Sequence, residues 1–122
     1  MNIQVIDCEL SVCRLNREER LCLSGEFCFA ARTDEELSLV CPTAQVPAHV
    51  LSREDGWRAF RFEGVLDFSL VGVLARVSAI LADEQIGLFA VSTFCTDYIL
   101  VKKENFEKAL TLLLENGYTL TR

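Results

Sequence analysis

The chain has 122 residues, of which 51% are hydrophobic and 25% charged, enough to bury a core and to exclude a globally disordered protein. Its net charge of −6 excludes the strongly basic surface that binds a nucleic-acid backbone or an anionic membrane. The acidity sits in the first half: residues 1–56 hold five Arg against ten Asp plus Glu, whereas residues 57–122 hold seven Lys plus Arg against eight.

The N-terminal stretch Met-Asn-Ile-Gln-Val-Ile-Asp-Cys-Glu lacks the basic start and apolar core of a signal peptide. The longest apolar-rich run, Phe68 to Ala82, is broken by Arg76 and too short to span a bilayer. A soluble cytoplasmic protein is expected, with no nucleic-acid or membrane partner. The cysteines Cys8, Cys13, Cys22, Cys28, Cys41 and Cys95 form no CxxC pair, and His49 is the only histidine. That spacing offers no zinc site, so no metal or other cofactor is expected. Without a secretory signal a disulfide framework is disfavoured, and reduced cysteine in apolar runs acts as a small hydrophobe.

Along the first half, Ile3 to Ile6 and Leu10 to Leu15 read as strands around Asp7-Cys8-Glu9. Asn16 can cap a short helix over Arg17 to Leu23. Phe27 to Ala31 and Leu37 to Cys41 read as a hairpin, and its turn carries Thr33-Asp34 as a later one carries Thr96-Asp97. Pro42, Pro47 and His49 then mark a loop, with a boundary near Asp55-Gly56. The expected division is therefore residues 1–56 and residues 57–122.

The second half is more regular. Trp57 to Glu63 has the period of a half-buried strand, with Phe60 and Phe62 on one face. The apolar set changes side near Ala59, which predicts a bulge or a strand covered on both faces. Leu70, Val73, Leu74, Val77, Ile80 and Leu81 fall at helical spacing, with Asp67 or Ser69 as cap. Ile86 to Val91 and Tyr98 to Val101 read as strands, and Phe106, Ala109, Leu110, Leu113 and Leu114 form a second helical stripe stopped by Gly117. Tyr118 to Thr121 supplies a last strand. The predicted order is β-α-β-β-α-β, an α+β ferredoxin-like arrangement, with the first half as a degenerate echo of it.

In that arrangement the crossover rule puts the loop Gly64 to Gly72 at the same end of the sheet as the turn Ser92 to Asp97. The first helix there presents unpaired amides around Ser69 to Gly72, and its dipole favours a carboxylate. Asp97 offers a carboxylate for an ammonium group, Thr93 a hydroxyl and Phe94 an apolar wall. A positive helix end facing an aspartate suits a zwitterion, most simply an amino acid. Each residue also has a plainer reading: Gly72 as a close-packing glycine, Asp97 as a turn former, Phe94 as core.

At these residues the sequence resembles the ACT domain. The stretch EGVLDFSLVGVLARVSAILADEQIGLFAVSTFCTDYILVKKENFEKAL carries the pattern at Asp67 to Gly72, Ile86 to Phe94 and Thr96 to Val101. SLVCP at Ser38 to Pro42 and GWRAFRFEG at Gly56 to Gly64 extend the likeness toward the first half. The branch is that of small bacterial tandem-ACT proteins and the eukaryotic cytosolic arginine sensors. The resemblance implies a tandem ACT protein that is no enzyme. It would bind an amino acid at an ACT–ACT interface as a homodimer and signal to a partner enzyme or complex. It places ligand contacts at Asp67, Leu70, Gly72, Leu74, Thr93, Phe94 and Asp97, and the residue reading adds Ser69. Leu70 stands where the arginine sensors carry an acidic residue, so a neutral or apolar amino acid is expected rather than arginine. The alternative is a ligand-independent dimerisation or assembly module. Catalysis is disfavoured because His49 lies in a different half from Cys95 and Ser92.

Overall fold

Apolar periodicity and turn chemistry place most elements of a computed structural model, which describes residues 1–64 and 71–122. The strands are β1 (Asn2–Leu15), β2 (Phe29–Arg32), β3 (Leu37–Pro42), β4 (Val50–Phe62), β5 (Phe89–Ser92), β6 (Asp97–Lys102) and β7 (Thr119–Thr121). The helices are α1 (Val73–Asp83) and α2 (Lys103–Glu115), with one 3₁₀ turn at Thr43–Gln45. These elements divide into two compact units, Met1–Asp7 with Arg58–Arg122, and Cys8–Trp57. The expected division at 56/57 differs from this at the N-terminus, where Met1–Asp7 group with the second half.

In the first of these units, strand, helix, strand, strand, helix and strand follow one another from Arg58. The sheet departs from a simple ferredoxin-like order in one place. A ferredoxin-like sheet would set β7 beside β4, but β7 pairs in parallel with β1, Asn2 to Gln4 against Thr119 to Thr121. The strand order is therefore β7-β1-β4-β6-β5. The Asn2 carbonyl also accepts from the Glu63 amide at 2.9 Å, fixing β1 against the end of β4.

The core of this unit lies between the sheet and both helices. Ile3, Phe60, Phe62, Ile99 and Val101 meet Val77 and Leu81 of α1 and Phe106, Ala109, Leu110 and Leu113 of α2. Among the described residues the predicted stripes are the buried or half-buried faces, except that Leu114 is 48% exposed. Both helices stop in Schellman turns, which hand the last carbonyls to amides beyond the helix. Tyr118 donates to Leu113 at 3.1 Å and Gly117 to Leu114 at 3.2 Å, with Gly117 at φ +92. After α1, Ile86 donates to Leu81 at 3.0 Å and Gln85 to Ala82 at 2.9 Å, but here the left-handed residue is Gln85 at φ +58. A side chain with a Cβ is strained in that conformation. Gln85→Gly is expected to stabilise the protein by about 1 kcal/mol in urea unfolding. A destabilised variant would contradict the turn assignment.

In the second unit, β2 pairs with β3 and β3 with β1, both antiparallel. Two sequence expectations fail here. The strands expected on either side of Asp7-Cys8-Glu9 are one, because β1 runs straight through these residues. The helix over Arg17 to Leu23 is absent. Asn16 instead makes a local turn, its Oδ1 accepting from Glu18 at 3.0 Å and its carbonyl from Glu19 at 2.9 Å. The boundary near Asp55-Gly56 lies within two residues of the division after Trp57, although β4 runs on through it, with Gly56 at φ +84 letting the strand change face. Ala59 and Phe60, beyond it, are both fully buried.

The two hairpins repeat one another sixty residues apart, β2–β3 against β5–β6. In both turns a threonine amide donates to the carbonyl three residues on, Thr33 to Glu36 at 2.9 Å and Thr93 to Thr96 at 2.8 Å. Both threonine hydroxyls accept from the same later amide, at 3.1 Å and 3.3 Å. The equivalent of Thr33 is thus Thr93, not Thr96. The 3₁₀ turn starting at Thr43 falls where α2 starts at Lys103, whereas residues 16–28 hold no helix to match α1.

Candidate functional site

The turn between β5 and β6 spans Thr93 to Thr96, and Asp97 is already the first residue of β6, opposite Ser92. The expectation that Thr96-Asp97 form the apex is corrected. The Thr93 hydroxyl closes the turn, donating to the Thr96 carbonyl at 2.9 Å while accepting from its amide. Thr93 is consequently a turn-forming residue whose oxygen is already engaged. Thr96 is buried, and its hydroxyl donates to the Phe62 carbonyl at 2.9 Å. That bond ties the turn to the end of β4, the point at which the chain leaves toward α1. The β5–β6 turn therefore lies at the end of the sheet where β4 ends.

Strand alternation fixes the side on which Asp97 lies. Residues 97, 99 and 101 share a face, and Ile99 and Val101 pack on α1 and α2. Asp97 is thus at the end of the sheet from which α1 begins and on the face that α1 covers. Among the described residues the first helical bond runs from Arg76 to the Gly72 carbonyl at 2.9 Å, so Val73, Leu74 and Ala75 form the first turn of α1. The expected amide donors at Ser69 and Leu70 lie outside the described residues.

Gly72 is the N-cap, at φ +79 with no side-chain cap. A Cβ there would meet nothing within 4 Å, so close packing does not require the glycine; the left-handed backbone does. Gly72 lines a cavity of about 310 Å³ with Val71, Arg76, Asn116 and Tyr118 among its walls. The Arg76 guanidinium donates to the Asn116 carbonyl at 3.1 Å and lies 5.4 Å from the Tyr118 ring centre. The helix start and this guanidinium bring positive potential to the same cavity.

A second cavity of about 290 Å³ opens at the same end of the sheet. Gln4, Arg61, Thr93, Thr96 and Tyr98 are among its walls. Arg61 donates to the Gln4 amide oxygen from Nε at 3.1 Å and Nη2 at 2.9 Å, and from Nη1 to the Tyr98 hydroxyl at 2.9 Å. Glu63 accepts from the Asn2 side-chain amide beside it. Sequence reasoning missed this cluster. Arg61 alternates with Phe60 and Phe62 and so faces away from them, but Gln4 arrives through a strand pairing that no local signal encodes.

Of the remaining expected site residues, Leu74 is part of the helix face packed on the core. Phe94 is 78% exposed and Val71 90% exposed, so Phe94 is no core residue. Asp67, Ser69 and Leu70 lie outside the described residues. Among the described residues no cluster of His, Cys, Asp and Glu could hold a metal ion, and no helix is long and apolar enough to cross a membrane.

Comparison with known proteins agrees with this architecture. The family model described as the ACT domain matches residues 52–115. The crystal structure of protein Atu0741 from Agobacterium tumefaciens is 33% identical with a TM-score of 0.87, and the match covers 98% of this chain and 90% of that one. The aspartokinase alpha and beta subunits share 15% identity with a TM-score of 0.65, over 94% of this chain and 96% of that one. An aspartate kinase of Clostridium acetobutylicum, described as an allosteric enzyme, shares 13% identity with a TM-score of 0.58, over 84% of this chain and 31% of that one. At these lower identities the likeness is one of fold alone. No curated protein matches the chain.

Proposed function

Because the chain belongs to the ACT domain family, we propose that it is a regulatory protein that binds a small amino-acid effector and passes the signal on through its dimer or a partner enzyme. ACT domains are regulatory, non-catalytic modules. What supports the reading is the alternation of β6, which gives Asp97 the same face as Ile99 and Val101, the face that α1 packs on. The effector's carboxylate would lie against the amides of Val73 to Ala75, within reach of Arg76, and its ammonium group against Asp97. Asp67, Ser69 and Leu70, just before this helix, complete the proposed site with Gly72, Leu74, Thr93 and Phe94. The cavity beside Gly72 and Arg76, about 310 Å³, is at the lower end of the roughly 300–1,000 Å³ usual for small-molecule sites and would take the carboxylate end of the effector; Asp97 is not among its described walls.

The repeat of the hairpin sixty residues apart supports a tandem arrangement, with the Cys8–Trp57 unit as a degenerate ACT-like half. A thermal-shift screen of the common amino acids tests the function. A neutral or apolar amino acid at a hundred times its Kd is expected to add about 2.7 kcal/mol of stability, and Asp97→Ala to remove that gain. If no amino acid stabilises the protein, the sensing reading fails.

The exposure of Val71 and Phe94 favours a second reading, an assembly module whose end is covered by protein. Dimerisation insensitive to every amino acid, with Phe94→Ala weakening it, would select that reading.

A further inference from the structure

We propose that Cys28 and Cys41 form a reversible disulfide when the protein meets a peroxide, a modification site in the Cys8–Trp57 unit. The β2–β3 register pairs Phe29 with Val40, and Cys28 and Cys41 are the next residues outward from that pair, Cys28 just before β2 and Cys41 within β3. The pairing type follows from the turn. Thr33 donates to Glu36, so that pair is hydrogen-bonded, and alternation along the hairpin makes Cys28 and Cys41 a non-hydrogen-bonded pair. In such pairs the Cα atoms stand about 4.5 Å apart and the side chains are closest, within the roughly 4.4–6.8 Å that a disulfide spans.

Both cysteines also line one cavity of about 210 Å³, with Leu39 and Gln45 among its walls. The Cys28 thiol makes only long contacts there, to the Gln45 side-chain oxygen at 3.6 Å and the Glu26 carbonyl at 3.7 Å, so it is not locked away from Cys41. Cys13 is the competing partner, because its thiol hydrogen-bonds that of Cys41. Its direct cross-strand neighbour, however, is Leu39, and that of Cys41 is Ser11. Cys13 and Cys41 are therefore diagonal rather than directly opposed neighbours, a less favourable placement for a bridge than a directly opposed pair. Packing does not require the pair, since at the repeated positions sixty residues on stand Leu88 and Val101.

Accessibility assigns the roles. Cys28 is half-buried and meets the oxidant, whereas Cys41 is buried. Burial, reinforced by the neighbouring Cys13 and Cys28, pushes the Cys41 thiol up to about 11. The Cys28 sulfur attacks a peroxide oxygen, breaks the O–O bond and becomes a sulfenic acid as the first water leaves. The Cys41 sulfur then attacks the Cys28 sulfur, gives up its proton and displaces the second water. Two thiols lose two electrons and two protons, and hydrogen peroxide is reduced to two waters.

Peptide mapping of the whole protein tests this, after hydrogen peroxide and blocking of the remaining thiols. Trypsin separates residues 21–32, which hold Cys22 and Cys28, from residues 33–53, which hold Cys41. The expected main oxidised product is these two peptides joined, lighter by two hydrogens and separated by dithiothreitol. The link should persist in Cys22→Ser and vanish in Cys28→Ser. A link that depends on Cys22, a link from residues 1–14 to residues 33–53, or oxidation without any link overturns the proposal.

Discussion

Phe60→Ala is expected to lower stability by about 3–5 kcal/mol, moving the urea midpoint down by roughly 2 M. Phe60 lies on β4, which β1 and β6 flank, and is fully buried. Its ring meets that of Phe62 edge to face, 6.4 Å between centres and 85° between planes. Truncation removes the transfer energy of a whole ring and leaves a void among residues of both helices and three strands. A domain with about 5–15 kcal/mol of total stability loses a large share of it in one step. Urea unfolding followed by far-ultraviolet circular dichroism measures the effect. A loss below about 1 kcal/mol would mean that the sheet and helices do not share this core.

Thr96→Val is expected to cost about 1–3 kcal/mol, the penalty for replacing the donor to a buried carbonyl with a methyl group. Valine keeps the side-chain shape, so the loss isolates the bond to the Phe62 carbonyl. Thr96→Ser, which keeps the hydroxyl, should recover most of it. The same variant reaches function, because that bond holds the β5–β6 turn against the end of β4. Effector stabilisation should therefore fall further in Thr96→Val than in Phe94→Ala, whose ring is largely exposed. A valine variant as stable as the parent would remove the tie from the account.

Much of the unit containing α1 and α2 was legible because its signals are local. Val77 and Leu81, and Phe106, Ala109, Leu110 and Leu113, announce two helices by spacing, and Gly117 announces a stop. What failed depended on partners far away in the chain. No property of Asn2 to Gln4 reveals that they pair with Thr119 to Thr121, and that pairing inserts β1 beside β7. Asn16 carries equal signals for a helix cap and for a turn, and tertiary context chose the turn. The hairpin repeat was present in the sequence, Phe29-Ala30 and Thr33 recurring as Phe89-Ala90 and Thr93. Reading Thr-Asp as the shared feature put it out of register by three residues.

The candidate site divides in the same way. The placement of the β5–β6 turn beside the end of β4 followed from topology, and Asp97 opens β6 there. The roles of Thr93 and Leu74 changed because a hydroxyl and a helix face each found a structural partner within the unit. Gly72 kept its place for a different reason, a left-handed cap rather than close packing.

Calorimetric titration of the stabilising amino acid into the wild-type protein and into Asp97→Ala tests the central claim most directly. Saturable binding in the wild type, at least tenfold weaker in Asp97→Ala, is the predicted result; tenfold corresponds to about 1.4 kcal/mol for a charge-assisted contact. Equal affinity in the two proteins, or no heat from any amino acid, would contradict it.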